Sequence, residues 1–173
     1  MAVFARGLPA PHRALIASRM PKPRAYVETT IPNFYYDFRD SPAITLRREA
    51  TRRWWANAAE RYELVTSTTV RDELAAGTGK NVPLRLRLIA QLPLLPIVPQ
   101  VDTTVDVYLM NKLMPAKPPE DAVHLALASL YDCRFIVTWN CRHLANANKA
   151  VHIERINTRL GLSVPKLLTP LDL

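Results

Sequence analysis

Short apolar runs alternate with helical patterns from residue 24 to the end of this chain, and this alternation constrains the fold more than any other feature. Strands separated by helices require a parallel sheet that is covered on both faces. The sequence therefore predicts an α/β protein, a three-layer α/β/α sandwich with a central, mainly parallel sheet. The predicted strands cover residues 24–28, 63–67, 134–139 and 166–169, and residues 94–98 form a proline-bounded strand or loop.

The intervening segments carry apolar residues at the three- to four-residue spacing of amphipathic helices. The longest of these covers residues 42–62. Thr30 can cap a short first helix, and Thr69 followed by Asp72 predicts the start of a helix that ends near Gly77. Further predicted helices cover residues 84–92, 101–114, 120–131 and 145–160.

The chain is predicted to have one domain, residues 24–173, preceded by a basic extension. Residues 1–23 carry scattered arginines and prolines and lack the apolar core of a signal peptide, so we interpret them as disordered. Five of the 23 Lys and Arg residues, and none of the 15 acidic residues, lie in residues 1–24. Of the net charge of +8, residues 25–173 therefore carry only +3, and any surface that binds nucleic acid must be local.

Composition excludes several classes of protein. The chain has only four glycines, so it can form neither a glycine-rich phosphate loop nor a dinucleotide-binding fingerprint. No apolar run approaches the ~18 residues that a membrane span needs, and no membrane partner is expected. Two cysteines are too few for a disulfide framework, which favours the reducing environment of the cytoplasm.

Four polar residues are predicted to meet at one edge of the sheet. Glu28 ends the first strand, Glu73 lies in the first turns of the helix after the second strand, Asp121 begins another helix, and Asn140 follows the strand that ends at residues 138–139. The carboxyl ends of parallel strands and the amino ends of the following helices share one edge, where ligands bind. This convergence is the main functional signal in the sequence.

Carboxylates that are brought together need a compensating positive charge, since each pair at ~4 Å repels by about 4 kcal/mol at an effective dielectric of ~20. Mg²⁺ and Mn²⁺ prefer oxygen ligands and can activate water for attack on a phosphate. Metal-assisted hydrolysis of a phosphodiester is therefore predicted. Each acid taken alone is also typical of a helix start, where the dipole favours it, and Glu73 and Asp121 fit that interpretation. Glu28 does not, because a carboxylate beside a buried strand needs a partner.

Two other groups of residues have open interpretations. A zinc site built from His124, Cys141 and His143 is conceivable, but its spacing matches no standard pattern, and buried, hydrogen-bonded histidines are the default expectation. A cluster of arginines lies on the helix over residues 42–62, where its members can contact phosphates or simply face water. This arginine cluster consists of Arg47, Arg48, Arg52 and Arg53.

Four segments of the chain resemble, in the right order, the four motifs of PIN domains, particularly those of the VapC-type toxins of bacterial toxin–antitoxin pairs. These segments are residues 26–32 (YVETTIP), 70–74 (VRDEL), 120–126 (EDAVHLA) and 137–146 (VTWNCRHLAN). The likeness covers roughly residues 24–170, and the third and fourth segments are the most specific.

The resemblance implies a PIN-like α/β/α fold and a Mg²⁺- or Mn²⁺-dependent ribonuclease, often dimeric and inhibited by a small antitoxin. Matched position by position, Glu28, Glu73 and Asp121 take the three acidic places. Asn140 takes the fourth place, which an acid usually fills, and Thr138 matches the hydroxyl residue before it. The implied metal ligands are Glu28, Glu73 and Asp121, and Asn140 with Thr138 would orient the attacking water.

Two departures from the family pattern bear on activity. Glu28 stands where aspartate is usual, so its extra methylene shifts the carboxylate, and Asn140 removes one negative charge, which should weaken a second metal. The alternative function is a PIN-like domain with a weakened site that acts as a nucleic-acid-binding or regulatory partner.

Overall fold

A computed structural model of the chain describes residues 21–114, 119–140 and 147–173, so the first 20 residues of the predicted extension lie outside it. Five strands and seven helices lie within these ranges, with one or two helices between successive strands. In chain order they are β1 (Arg24–Val27), α1 (Thr30–Tyr35), α2 (Pro42–Arg61), β2 (Glu63–Ser67), α3 (Thr68–Ala76), α4 (Val82–Ile89), β3 (Leu94–Leu95), α5 (Pro99–Met110), α6 (Glu120–Leu130), β4 (Phe135–Val137), α7 (Ala147–Leu160) and β5 (Lys166–Leu168).

The strands form one sheet in the order β3-β2-β1-β4-β5, and every neighbouring pair is parallel. The predicted mainly parallel sheet is thus confirmed and is entirely parallel among the described strands. Tyr26 on the central strand pairs in register with Val65 on one side and Ile136 on the other. Helices cover both faces, which is why Ala25, Tyr26 and Val27 of β1 are buried although they point to alternate sides of the sheet.

Alternate residues along β1 belong to different apolar layers, because successive side chains of a strand point to opposite faces. Tyr26 packs in the larger core cluster, together with residues of α3, α5, α6 and α7. Ala25 and Val27 pack in the other cluster, with α1 and α2. These two cores on either side of one sheet make the three layers of the predicted sandwich.

Two helix starts differ from the sequence-based expectation. Ser67, not Thr69, caps α3, because the helix follows β2 without a loop and the Ser67 hydroxyl accepts a hydrogen bond from the Val70 amide at 3.3 Å. Thr30 is the first residue of α1 rather than its cap, and its hydroxyl instead donates to the Glu28 carboxylate at 2.5 Å. Both differences place polar side chains at the carboxyl edge of the sheet.

No helix in the described segments is both long enough and apolar enough to cross a bilayer.

Candidate metal centre

The candidate site lies at the edge where β1, β2 and β4 end. Glu28 follows β1 directly, Glu73 comes from α3 after β2, and Thr138 follows β4. Helix α6 contributes Asp121 and, one turn later, His124. The order of the strands therefore brings to one edge side chains that are far apart in the sequence.

Glu28 is held in place by hydrogen bonds and is only 4% exposed. Its Oε2 atom accepts from the Thr30 amide at 3.0 Å, the Thr30 hydroxyl at 2.5 Å and the Thr138 hydroxyl at 2.8 Å. Burial raises the pKa of Glu28 above its usual value, even though His124 and these donors favour the charged form. The carboxyl group is thus fixed in orientation, while its burial disfavours the charged form.

The buried His124 and the partly exposed Glu73 form an ion pair, with Nε2 of His124 3.1 Å from Oε1 of Glu73. The other carboxylate oxygen, Oε2, accepts a hydrogen bond from the Thr29 hydroxyl. Burial would raise the pKa of Glu73, but His124 and Thr29 outweigh it and lower that pKa. Burial would likewise lower the pKa of His124, but Glu73, Glu28 and Asp121 outweigh it and raise that pKa. A charged imidazole is therefore favoured between the two glutamates.

The opposite side of the His124 ring is anchored in the core. The Nδ1 atom lies 2.9 Å from the Tyr26 hydroxyl, which lies 2.7 Å from the Ser67 hydroxyl. Ser67 in turn accepts from the Val70 amide. This chain of contacts runs from α6 across β1 to the start of α3, and it turns Nε2 toward the glutamates.

Asp121 and Asn140 join the same network from the other side. The Asn140 side-chain amide donates to Asp121 Oδ1 at 2.9 Å, and its backbone amide donates to the Thr138 hydroxyl at 2.8 Å. Thr138 then donates to Glu28. The structure thus connects all five residues that the family resemblance assigned to the site, namely Glu28, Glu73, Thr138, Asp121 and Asn140, through hydrogen bonds or through His124.

A divalent cation fits the donors at the centre of this network. One ligand atom each of Glu28, Glu73 and His124 lies within 4.8 Å of the other two. Oε1 of Glu73 is shielded from solvent and has no aligned hydrogen bond among the described residues, so it is a buried acceptor with unused capacity. Asp121 does not belong to this trio in the described part of the chain, although it was a predicted ligand. The third member of the trio is His124, which was not among the predicted ligands of Mg²⁺ or Mn²⁺.

A sequence signal for His124 existed in its spacing from Asp121. Residues three apart on a helix share a face, so a histidine three residues after a candidate ligand points to the same edge. The default expectation for this histidine, burial with a hydrogen-bond partner, is confirmed. The other two members of the zinc alternative, Cys141 and His143, lie outside the described residues.

The arginine cluster contacts the protein itself at three of its four positions. The Arg47 guanidinium lies 5.1 Å from the ring centre of Phe34, within cation–π range. Arg48 donates to the carbonyl of Asp37 at 2.7 Å, and Arg52 donates to the carbonyl of Tyr35 at 3.0 Å. These contacts attach α2 to α1 and to the loop between them. Arg53, in contrast, is exposed.

In the α1–α2 loop, Asp37 is expected to make stability depend on pH in the acid range. The Arg39 guanidinium binds both its oxygens and lowers its pKa. A lowered carboxyl pKa stabilises the fold above the unfolded value of about 3.9, and that stabilisation is lost as the pH falls through the folded pKa. Asp37→Asn should therefore reduce the unfolding free energy above pH 5 by less than about 1 kcal/mol, since Arg39 is largely exposed.

Urea unfolding of both proteins between pH 3 and 7 measures this difference. The difference should begin to narrow below about pH 4, the range of the unfolded pKa, and it should shrink in 0.5 M salt. A difference that stays constant across this range would mean that the Asp37 charge is not responsible.

Comparison with known proteins does not identify this chain. No model of a known protein family matches it, and no curated protein matches it. The resemblance of its four segments to PIN domains therefore remains a prediction. What the chain does must be inferred from its fold and from the chemistry of the residues at this edge.

Proposed function

We propose that this chain is a metal-dependent endoribonuclease that hydrolyses RNA phosphodiester bonds, as its resemblance to VapC-type PIN domains implies. One observation carries the proposal: Glu28, Glu73 and His124 present ligand atoms within 4.8 Å of one another at the carboxyl edge of the sheet. In an α/β fold this edge is the usual position of a ligand site. Two carboxylates that close to each other are well suited to Mg²⁺ or Mn²⁺.

The residues of the site have separate roles in the proposed reaction. Glu28 and Glu73 hold the metal, which when bound polarises the phosphate and favours ionisation of water. Asp121 and Asn140, joined to each other at 2.9 Å, orient the attacking water and accept its proton at the Asp121 carboxylate. Thr138 is a positioning residue, because its hydroxyl donates to Glu28 while it accepts from the Asn140 amide.

The biological setting in this proposal follows from the same resemblance. The substrate is RNA, the inhibitory partner is a small antitoxin protein, the chain associates as a homodimer, and the enzyme acts in the cytoplasm. Of the arginine cluster, Arg53 is the member that is most available for phosphate contacts, since Arg47, Arg48 and Arg52 bind groups of the protein.

The test compares RNA cleavage by the purified chain and by Asp121→Asn in Mg²⁺ or Mn²⁺. Asparagine can still accept the hydrogen bond from Asn140, so the fold should persist while the negative charge is lost. We expect cleavage to fall at least about tenfold, the lower limit typical of changes beside a bound metal. Asp102→Asn is the matched control, because Asp102 is exposed on α5. Equal cleavage by Asp121→Asn and the unchanged chain would reject the proposal.

A second function is favoured by the ion pair of His124 with Glu73. A charged imidazole can offset the charge of one glutamate without a metal, as would suit a PIN-like domain with a weakened site that binds nucleic acid or regulates a partner. Calorimetric titration with Mn²⁺ separates the two functions. The nuclease predicts binding heat that disappears in Glu28→Gln, and the binding module predicts no heat attributable to Glu28 or Asp121.

A further inference from the structure

We propose that His124 is a direct ligand, through Nε2, of the divalent ion held by Glu28 and Glu73, which makes the site a mixed nitrogen–oxygen site that prefers Mn²⁺ to Mg²⁺. This inference rests on the proposed metal dependence of the enzyme. It goes beyond it by adding a ligand that neither the acidic positions of the sequence nor the family resemblance assigned.

The first support is the geometry between His124 and Glu73. Their Nε2 and Oε1 atoms are 3.1 Å apart, yet Oε1 has no aligned hydrogen bond with any residue that the structure describes. Adjacent ligands of an octahedral ion with bonds of about 2.1 Å are separated by about 3.0 Å. The two atoms are therefore spaced as neighbouring ligands of one ion, and one ligand atom each of Glu28, Glu73 and His124 lies within 4.8 Å of the other two.

The second support is the hydrogen bonding behind the ring. Histidines that bind metals almost always donate their other ring N–H to an acceptor, which fixes the ring and its tautomer. Here Nδ1 can donate to the Tyr26 hydroxyl, which can donate to Ser67. With Nδ1 so engaged, a metal can take the place of the Nε2 proton without changing any contact behind the ring.

The donor set then determines the choice of metal. Mg²⁺ is bound by oxygen ligands and retains its waters, whereas an imidazole nitrogen suits transition metals. Two carboxylates with one imidazole therefore favour Mn²⁺ over Mg²⁺. We expect Mn²⁺ to bind the metal-free chain at least about tenfold more tightly than Mg²⁺, a modest preference for one nitrogen ligand.

The decisive experiment adds Mn²⁺ alone to the metal-free full chain and records its electron spin echo modulation. A directly bound imidazole produces a ¹⁴N coupling, and protein labelled only with ¹⁵N-histidine should replace it with the ¹⁵N pattern. This comparison needs no substitution, so it does not depend on the stability of a variant. Substitutions then identify the residue: the coupling should be lost in His124→Gln and kept in His152→Gln and His143→Gln.

The preference for Mn²⁺ over Mg²⁺ should change in only one of these variants. The tenfold ratio of Mn²⁺ to Mg²⁺ affinity should disappear in His124→Gln and persist in His152→Gln. Bound Mn²⁺ that shows no nitrogen coupling, or a nitrogen coupling that survives in His124→Gln, overturns this inference but leaves the proposed metal-dependent nuclease intact. A chain that binds no Mn²⁺ overturns both.

Discussion

Glu28→Gln is expected to abolish metal-dependent RNA cleavage, with a loss of more than about a hundredfold, while the metal-free protein becomes more stable. Changes to residues that only support a metal ligand cost about 10- to 100-fold, so the loss of a ligand carboxylate should exceed that range. The amide oxygen of glutamine can still accept hydrogen bonds at the position of Oε2, to which Thr30 and Thr138 donate. Glutamine differs from glutamate by removing a buried charge and by replacing the other oxygen with an NH₂ donor.

The gain in stability follows from the environment of that charge. Glu28 is 4% exposed, and burial raises its pKa, so the fold disfavours its ionised form at neutral pH. Substitutions that relieve such a functional strain commonly add about 1 kcal/mol to the unfolding free energy. Urea unfolding in the presence of a chelator measures this change, and an RNA cleavage assay in Mn²⁺ measures the loss of activity.

A matched control is Glu60→Gln, since Glu60 is exposed on α2. It should leave both cleavage and the unfolding free energy unchanged within about 0.5 kcal/mol. Retained cleavage in Glu28→Gln would remove Glu28 from the metal site. A variant that instead unfolds more easily would show that the charge of Glu28 is needed to neutralise His124.

The layered fold was predictable because the strands of a buried parallel sheet are short apolar segments, and the helices between them have apolar residues at a spacing of three to four. The strand predicted at residues 63–67 is β2 with the same limits, and the helix predicted over 42–62 is α2 with one residue fewer. Strand β4 is shorter than the predicted 134–139, since the Trp139 amide donates to the Thr30 side chain instead of to a neighbouring strand. The ends of elements thus depend on side chains that periodicity does not describe.

The positions of those site residues that depend only on the order of the strands were predictable. Glu28 and Asn140 follow strands, and the order of parallel strands brings such residues to one edge. The position of His124 depends instead on Tyr26, which is 98 residues away in the chain and lies on another element. That distant partner decides which ring nitrogen of the buried histidine faces the core and which faces the site. The sequence alone therefore could not assign the orientation of His124.

A second large effect is expected far from the site, at Asn157 on α7, which is fully buried. Its Oδ1 accepts from the Tyr108 hydroxyl at 2.7 Å, and its Nδ2 donates to the Ser129 hydroxyl at 2.8 Å and to the Ser163 carbonyl at 2.6 Å. One side chain thus joins α5, α6, α7 and the segment before β5. Asn157→Ala should lower the unfolding free energy by about 3 kcal/mol, because it strands several buried polar groups at once.

Two comparison variants show whether lost hydrogen bonds or a cavity cause this effect. Asn157→Leu keeps the branched shape of the side chain in a larger volume but restores no hydrogen bond, so it should remain at least about 2 kcal/mol less stable than the unchanged chain. Asn111→Ala removes an exposed asparagine that donates to the Val107 carbonyl, and it should cost less than about 0.5 kcal/mol. Urea unfolding measures all three variants. Full recovery of stability in Asn157→Leu would assign the loss to packing. If Asn111→Ala lost as much stability as Asn157→Ala, the burial of the hydrogen-bond network would not explain the effect of Asn157.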